Sequence, residues 1–275
     1  MVVSYDGSAY QGWQIQPHGP TVQAALEAAL HTITRQEIKL YGSGRTDTGV
    51  HAFNQIASAR VPETTDLKRL QAGLNAICAP HISVKAIVPV SESFHARHSA
   101  TGKTYRYQIF NRFYPSAFGR HRCWWVRTPL DSQAMAEAAQ ALLGTHDFSA
   151  FRAMECSAKS PVRTIERLDV ETPAAESPGS ESATLTLTIE ASGFLQHMAR
   201  IITGTLVAVG KGRLDAERIR AVLASGDREQ ADVTAPGRGL HMLRVNYDLE
   251  TFPELRPLFE SGMLGESRPA RQQQS

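Results

Sequence analysis

The run Tyr41-Gly-Ser-Gly-Arg-Thr-Asp-Thr-Gly-Val-His51 is the stretch whose residue types and spacing best suit chemistry. Gly42, Gly44 and Gly49 surround Arg45, Thr46 and Asp47, and glycine permits backbone conformations and close approaches that other residues resist. An arginine beside an aspartate favours the ionised carboxylate, the form a reaction would use. The same spacing suits a turn in which Asp47 only caps its own backbone, and spacing alone slightly favours that account. The run is not a Walker A loop, because the closing Gly-Lys-Ser/Thr is missing. It is not a dinucleotide fingerprint either, because Gly42 and Gly44 lack a third glycine at the required place.

Two further features bear on function. From Ser93 to Leu130 there is no Asp or Glu, while Arg97, Lys103, Arg106, Arg112, Arg120, Arg122 and Arg127 all fall there. The window also holds nine aromatics, among them Phe94, Tyr105, Tyr107, Phe113, Phe118 and Trp125. Basic residues interleaved with stacking groups fit structured or single-stranded RNA; a packed strand pair with a basic outer face is the alternative. The second feature is Arg200. It lies on a helical pattern lined by Leu195, Met198, Ile201, Ile202 and Leu206, where a lone arginine usually has a definite carboxylate partner. Gly204, four residues on, is expected to leave space beside it.

The elements that must position these residues follow from periodicity and turn chemistry. Val2–Tyr5 predicts a short strand stopped by Asp6-Gly7. Thr21 predicts the cap of a helix carrying Leu26 and Leu30. Strands are expected at Ile38–Tyr41, His51–Val61 and Ile82–Val90, with a helix between the last two opened by Thr65 or Asp66. The second half repeats the plan: strands at 105–110, 164–170, 183–190 and 240–247, and helices opened by Asp131, over 195–209 and near 216–223. Two successive split β-α-β units predict an α+β protein with pseudo-repeated halves. The expected division is 1–98 for the half carrying Asp47, 99–249 for the second half, and 250–275 for a tail whose end is disordered. Thr172–Ser182 is expected to be a hairpin loop or surface insertion, and the polar end from Gly265 to be disordered.

Gly44-Arg45-Thr46-Asp47-Thr48-Gly49-Val50-His51 resembles the catalytic motif of the tRNA pseudouridine synthase A family. Tyr5-Asp-Gly-Ser-Ala-Tyr-Gln-Gly-Trp13 is similar to that family's opening strand and loop. Phe94-His-Ala-Arg97, Thr104-Tyr-Arg-Tyr107, Phe148-Ser-Ala-Phe-Arg152, Gly193-Phe-Leu-Gln-His-Met-Ala-Arg200 and Gly239-Leu240 resemble its later motifs, in order and over nearly the whole chain. The resemblance implies the pseudouridine synthase fold, with mainly antiparallel sheets and a central cleft. It implies isomerisation of uridine to pseudouridine at positions 38, 39 and 40 in the anticodon stem-loop of tRNA. Asp47 would be the essential aspartate, as nucleophile or as base, and Arg200 would pair with it. Tyr105 would contact the target base, and Arg45 would help move that base out of its stack. From the acid-free window, Arg97, Lys103, Arg106, Arg120 and Arg122 are the residues expected to meet RNA. A homodimer without metal or organic cofactor is implied.

Composition agrees with an ordinary globular chain: 275 residues, 42% hydrophobic and 20% charged, which excludes disordered, collagen-like and disulfide-dense classes. Net charge is only +2, so charge placement matters more than the sum. Cys78, Cys123 and Cys156 form no metal clip, and a reducing compartment, the cytoplasm, is expected. His95 and His98, without carboxylate or Cys neighbours, read as local packing or surface rather than zinc ligands. Neither a membrane span nor a signal peptide is expected. Two other functions remain open on the residues: an inert RNA-binding protein, and a nucleotide-phosphate enzyme using the glycine-rich loop, which the absence of a loop lysine disfavours.

Overall fold

A computed structural model describes residues 1–172 and 185–264. The Pro- and Ser-rich stretch read as an insertion, apart from Thr172, and the polar end from Gly265 lie outside these residues. The elements run β1 (Val2–Tyr5), α1 (Val22–Thr34), β2 (Tyr41–Gly42), β3 (His51–Ser58), α2 (Leu67–Cys78), β4 (Ile82–Ala86), β5 (Ala100–Asn111), β6 (Trp124–Val126), α3 (Ser132–Ala139), β7 (Gly144–Asp147), β8 (Val162–Glu171), β9 (Leu185–Ala191), α4 (Met198–Gly210), α5 (Ala216–Ser225), β10 (Leu240–Tyr247) and α6 (Arg256–Glu260). They form two compact units, Met1–Gly102 with Met242–Ser275, and Lys103–His241.

In the first unit the strand order is β4-β1-β3-β10, with β2 beside β3. β1 is antiparallel to both neighbours, and Tyr5 faces Ala52 on β3 and Ile82 on β4. Because β3 begins at His51, this register draws the loop of Asp47 to the end of β1. Two capped helices close the core. The Thr21 side chain accepts from Ala24 N–H at the start of α1, and Asp66 accepts from Lys68 and Arg69 at the start of α2. These bonds satisfy donors that a helix start leaves open. Leu26 and Leu30 of α1 and Leu70 and Leu74 of α2 are buried at the four-residue spacing of one helix face, and α1 packs on α2 and α2 on β4.

In the second unit the order is β5-β9-β8-β7, all antiparallel. Tyr105 faces Ile189 and Tyr107 faces Leu187, so the two tyrosines share one face of the sheet. α3 packs against α4, α5 and β8. α4 is buried on every side except at Arg200. β6 lies parallel to β5, joined by the twelve residues 112–123, near the shortest crossover a parallel pair allows.

Several expectations shift: β3 stops at Ser58 rather than Val61 and β4 at Ala86 rather than Val90, the first unit runs to Gly102 and takes back the chain from Met242, and three further differences follow. The strand read at Ile38–Tyr41 is only Tyr41–Gly42, because the Leu40 N–H is taken by the Glu27 side chain rather than by a strand partner. The helix opened by Asp131 ends at Ala139 and tightens into a 3-10 turn over Gln140–Leu142. The segment 250–264 is not a tail but part of the first unit's core: Phe252, Leu255, Leu258, Phe259 and Leu264 are buried, and the Phe252 ring meets Phe94 edge-on at 5.2 Å. Phe252→Ala is therefore expected to lower stability by about 3–5 kcal/mol. Urea unfolding of the full chain measures it, and a loss under about 0.5 kcal/mol would return the segment to the status of a tail.

Candidate active site

The Asp47 loop is clamped from three sides, all within the first unit. On one side runs the loop after β1. Asp6 closes a tight turn by accepting from the Ser8 N–H and hydroxyl, at 3.0 and 2.6 Å. Trp13 N–H then donates to Thr46 O (3.1 Å) and Gly49 N–H to Tyr10 O (3.3 Å). These backbones lie so close that side chains would collide. A Cβ on Gly12 would sit 2.3 Å from Thr46 O, and one on Gly7 would sit 2.0 Å from Val50 O. Gly12 also has φ +89°, a conformation that other residues adopt only at a cost.

On the other side stands β3. Ser43 N–H donates to Ile56 O at 2.7 Å. The buried Gln55 side chain accepts from the Ser43 hydroxyl at 2.5 Å and donates to Gly44 O at 2.8 Å. Beneath the loop, the Tyr5 hydroxyl and Thr46 Oγ1 share a buried hydrogen bond of 2.8 Å. Burial, only partly opposed by the hydrogen bonds from Thr46 and Gln55, holds the Tyr5 phenol well above its usual pKa. It stays neutral, a fixed anchor rather than an acid or base. Trp13 packs its ring on Gly42, where a Cβ would come within 2.5 Å of it.

The result separates the loop's side chains. Ser43, Thr46, Val50 and His51 are buried, Arg45 and Thr48 are exposed, and Asp47 is half-buried. Val50 N–H donates to the Asp47 carbonyl at 3.1 Å, so the turn at Gly49 is closed by backbone. His51 Nδ1 lies 3.1 Å from Gly7 N–H and 3.3 Å from Asp6 Oδ1. An amide can only donate, so Nδ1 is the acceptor in the contact with Gly7.

In the second unit, Tyr105 is buried, with only 6% of its surface exposed, and its ring meets Phe194 edge-on at 4.8 Å. Arg200 is held by reciprocal bonds to one residue: its Nε–H donates to Ala235 O at 2.8 Å, and Ala235 N–H donates to Arg200 O at 3.1 Å. The space expected beside it at Gly204 is filled. A Cβ there would lie 1.7 Å from Val233 O, so the glycine admits a crossing backbone rather than leaving a gap. Tyr107 secures the same segment by donating to Pro236 O at 2.7 Å.

The basic candidates are dispersed. Arg97 is exposed in a turn whose amides at 97 and 98 donate to His95 Nδ1. Lys103 and Arg106 are half-buried on β5, and Arg106 Nε is enclosed without a hydrogen-bond partner. Arg120 and Arg122 are exposed between β5 and β6. Among the described residues no three His, Cys, Asp or Glu side chains gather as a metal site would require, and no helix is long and apolar enough to cross a membrane. Sequence reading missed the roles of Tyr5, Gly7, Gly12 and Gln55. The two glycines carried a signal in the opening motif. Gln55 did not, because β3 is buried on both faces and shows no clean alternation.

A family model described as tRNA pseudouridine synthase matches residues 1–99 and 138–248. The chain is 44% identical over 252 residues to tRNA pseudouridine synthase A of Rhodospirillum rubrum, covering 91% of this chain and 88% of that one. It is 42% identical to the enzyme of the same name from Myxococcus xanthus (90% and 91% covered) and 44% identical to that of Moorella thermoacetica (90% and 98%). With the clamped aspartate loop in place and these matches running through both units, the chain belongs to the tRNA pseudouridine synthase family.

Proposed function

We propose that this enzyme converts uridine to pseudouridine at positions 38, 39 and 40 of the tRNA anticodon arm, with Asp47 as its essential carboxylate. The observation that carries the reading is the half-buried Asp47 on a loop whose backbone is locked at Ser43, Thr46 and Gly49. A carboxylate that only ended a turn would not need so much fixed backbone around it. The reaction needs such a group: the N1–C1′ bond breaks, the base turns, a C5–C1′ bond forms, the C5 proton leaves and N1 gains one. Composition is unchanged, so no redox cofactor is called for. Asp47 serves as nucleophile at the sugar or as base at C5, and the clamp holds it in one place while the base moves.

The target base must leave its stack, at a cost of about a few kcal/mol. Arg45, exposed two residues before Asp47, is the proposed lever, and Tyr105 the proposed contact for the flipped ring. Arg200 is the proposed cationic partner of Asp47. What supports it is the family motif that ends in Arg200, and the carbonyl of Ala235, which holds one edge of the guanidinium still. A homodimer in the cytoplasm completes the proposal on family likeness; sedimentation of the purified chain tests the dimer.

Asp47→Asn preserves shape and removes the charge. Tritium release from tRNA labelled at uracil C5 is expected to fall by at least ~10²–10⁴-fold with tRNA binding retained; a near-normal rate would make Asp47 a turn residue. Gly12→Ala should push the Thr46 carbonyl and so displace Asp47. Its kcat is expected to drop on the order of 10²-fold with KM little changed in a chain still folded by circular dichroism, and a loss confined to KM would contradict the positioning role. For Arg200→Met the single-turnover rate is expected to fall sharply, and the double variant with Asp47→Asn to be no slower than the slower single one. Losses that multiply would show that the two residues act independently.

A further inference from the structure

The twelve residues 112–123 and the strand β6 that follows are not used by the reaction. Their surface is unusual. Phe113 is 72% exposed, Tyr114 55%, Phe118 88% and Trp125 39%. Large apolar groups clustered on a surface mark a contact site more often than a structural need. By contrast Phe94, Tyr105, Tyr107 and Phe110, in the same acid-free window, are buried. The window thus divides: Phe94 and the aromatics of β5 are core, whereas Phe113, Tyr114 and Phe118 of the loop and Trp125 of β6 face solvent.

The loop is also built, not slack. Its feet point inward. Ser116 and Cys123 are buried, Gly119 N–H donates to Ser116 Oγ at 2.7 Å, and the Arg122 and Cys123 amides and the Cys123 thiol all converge on Gly119 O. Trp125 Nε1–H donates to Arg112 O at 2.9 Å, which pins the indole. The Arg127 guanidinium sits 4.1 Å from the Phe113 ring centre, and Arg120 is tied to Ala117 O at 3.0 Å. Phe113 and Trp125 are held at fixed positions, and rings so held can stack on a ligand with little ordering to lose.

Charge selects the ligand. Arg112, Arg120, Arg122 and Arg127 are interleaved with the rings in the chain, Arg127 lies over Phe113, and no acidic residue falls between Ser93 and Leu130. Two copies of this patch would repel one another across a symmetric contact. An anionic polymer with exposed flat faces fits both features, and unpaired RNA offers phosphates and free bases together. We propose that Phe113 and Phe118 stack unpaired nucleotides of the substrate RNA while Arg120 and Arg122 hold the neighbouring phosphates. This rests on the tRNA reading above and adds to it a stacking site away from Asp47 in the sequence.

The test measures binding of the full-length protein to two RNAs of equal length and charge, a hairpin with a seven-nucleotide unpaired loop and a fully paired duplex, across a salt series. For Phe113→Ala with Phe118→Ala, affinity for the hairpin is expected to fall roughly ten-fold or more. Affinity for the duplex and the salt slope for both RNAs should be unchanged. For Arg120→Gln with Arg122→Gln, both RNAs are expected to bind more weakly with a flatter slope. Equal losses on hairpin and duplex from the aromatic pair, or no loss at all, would overturn the proposal. So would a change in the oligomeric state of that variant by light scattering, which would make the patch a contact between copies. Turnover of tRNA by the unaltered enzyme is measured alongside: its absence defeats the functional reading, whereas normal turnover with unchanged variant binding defeats only the stacking site.

Discussion

The near-contact of two backbone segments, residues 7–13 and 43–50, is the constraint on which the candidate site depends. Chains approach this closely only where Cβ atoms are missing, and Gly7 and Gly12 are where they are missing. The approach satisfies the Trp13 and Gly49 amides with carbonyls of the opposite segment. A buried amide left without a partner costs as much as a lost hydrogen bond, so the two segments are held together by both what they lack and what they exchange. Gln55 and Tyr5 add side-chain bonds from β3 and β1, and the loop is left with one half-buried carboxylate, Asp47. For the catalytic role proposed for Asp47 this fixing matters, because misplacement by about an ångström can cost on the order of 10²-fold in rate.

The second unit uses the same device on a helix. Gly204 lets the chain at Val233 cross α4, and the crossing segment then exchanges two hydrogen bonds with Arg200. Burying a helix on all sides except one cation is stable only when that cation's donors are used, and the crossing backbone uses one of them. Tyr107 holds the segment at Pro236, and burial keeps its phenol well above the usual pKa, so the bond persists as a neutral O–H donor. One edge of the Arg200 guanidinium is thus positioned by a backbone carbonyl, that of Ala235.

Much of this was legible in residue order. Caps at Thr21 and Asp131, a helix start at Thr65 or Asp66, the four-residue spacing of Leu26–Leu30 and Leu70–Leu74, and the alternation over Leu185–Ile189 are local signals, and local signals specify local elements. β10 spans Leu240–Tyr247 as its pattern predicts. The motif around Asp47 stood out through its likeness to a family motif, since its spacing alone slightly favoured a turn in which Asp47 caps its own backbone. Less clear was the ring-rich window: its composition pointed to RNA, but only the burial of Phe94, Tyr105, Tyr107 and Phe110 beside the exposure of Phe113, Tyr114, Phe118 and Trp125 separates packing from surface.

What tertiary structure alone decided has one physical character: it concerns groups far apart in the chain. Gln55 as a bracket, Tyr5 as an anchor under Thr46, Val233 as the neighbour of Gly204, and the return of Phe252 to Phe94 are contacts over eleven to more than a hundred residues. No periodicity encodes such a partner, since a buried polar or aromatic residue reads the same whichever neighbour satisfies it. Sequence by itself determined the element types, their caps and the residues able to do chemistry. Which carbonyl faces which glycine, and hence how firmly Asp47 and Arg200 are held, follows from the packing that brings those segments together.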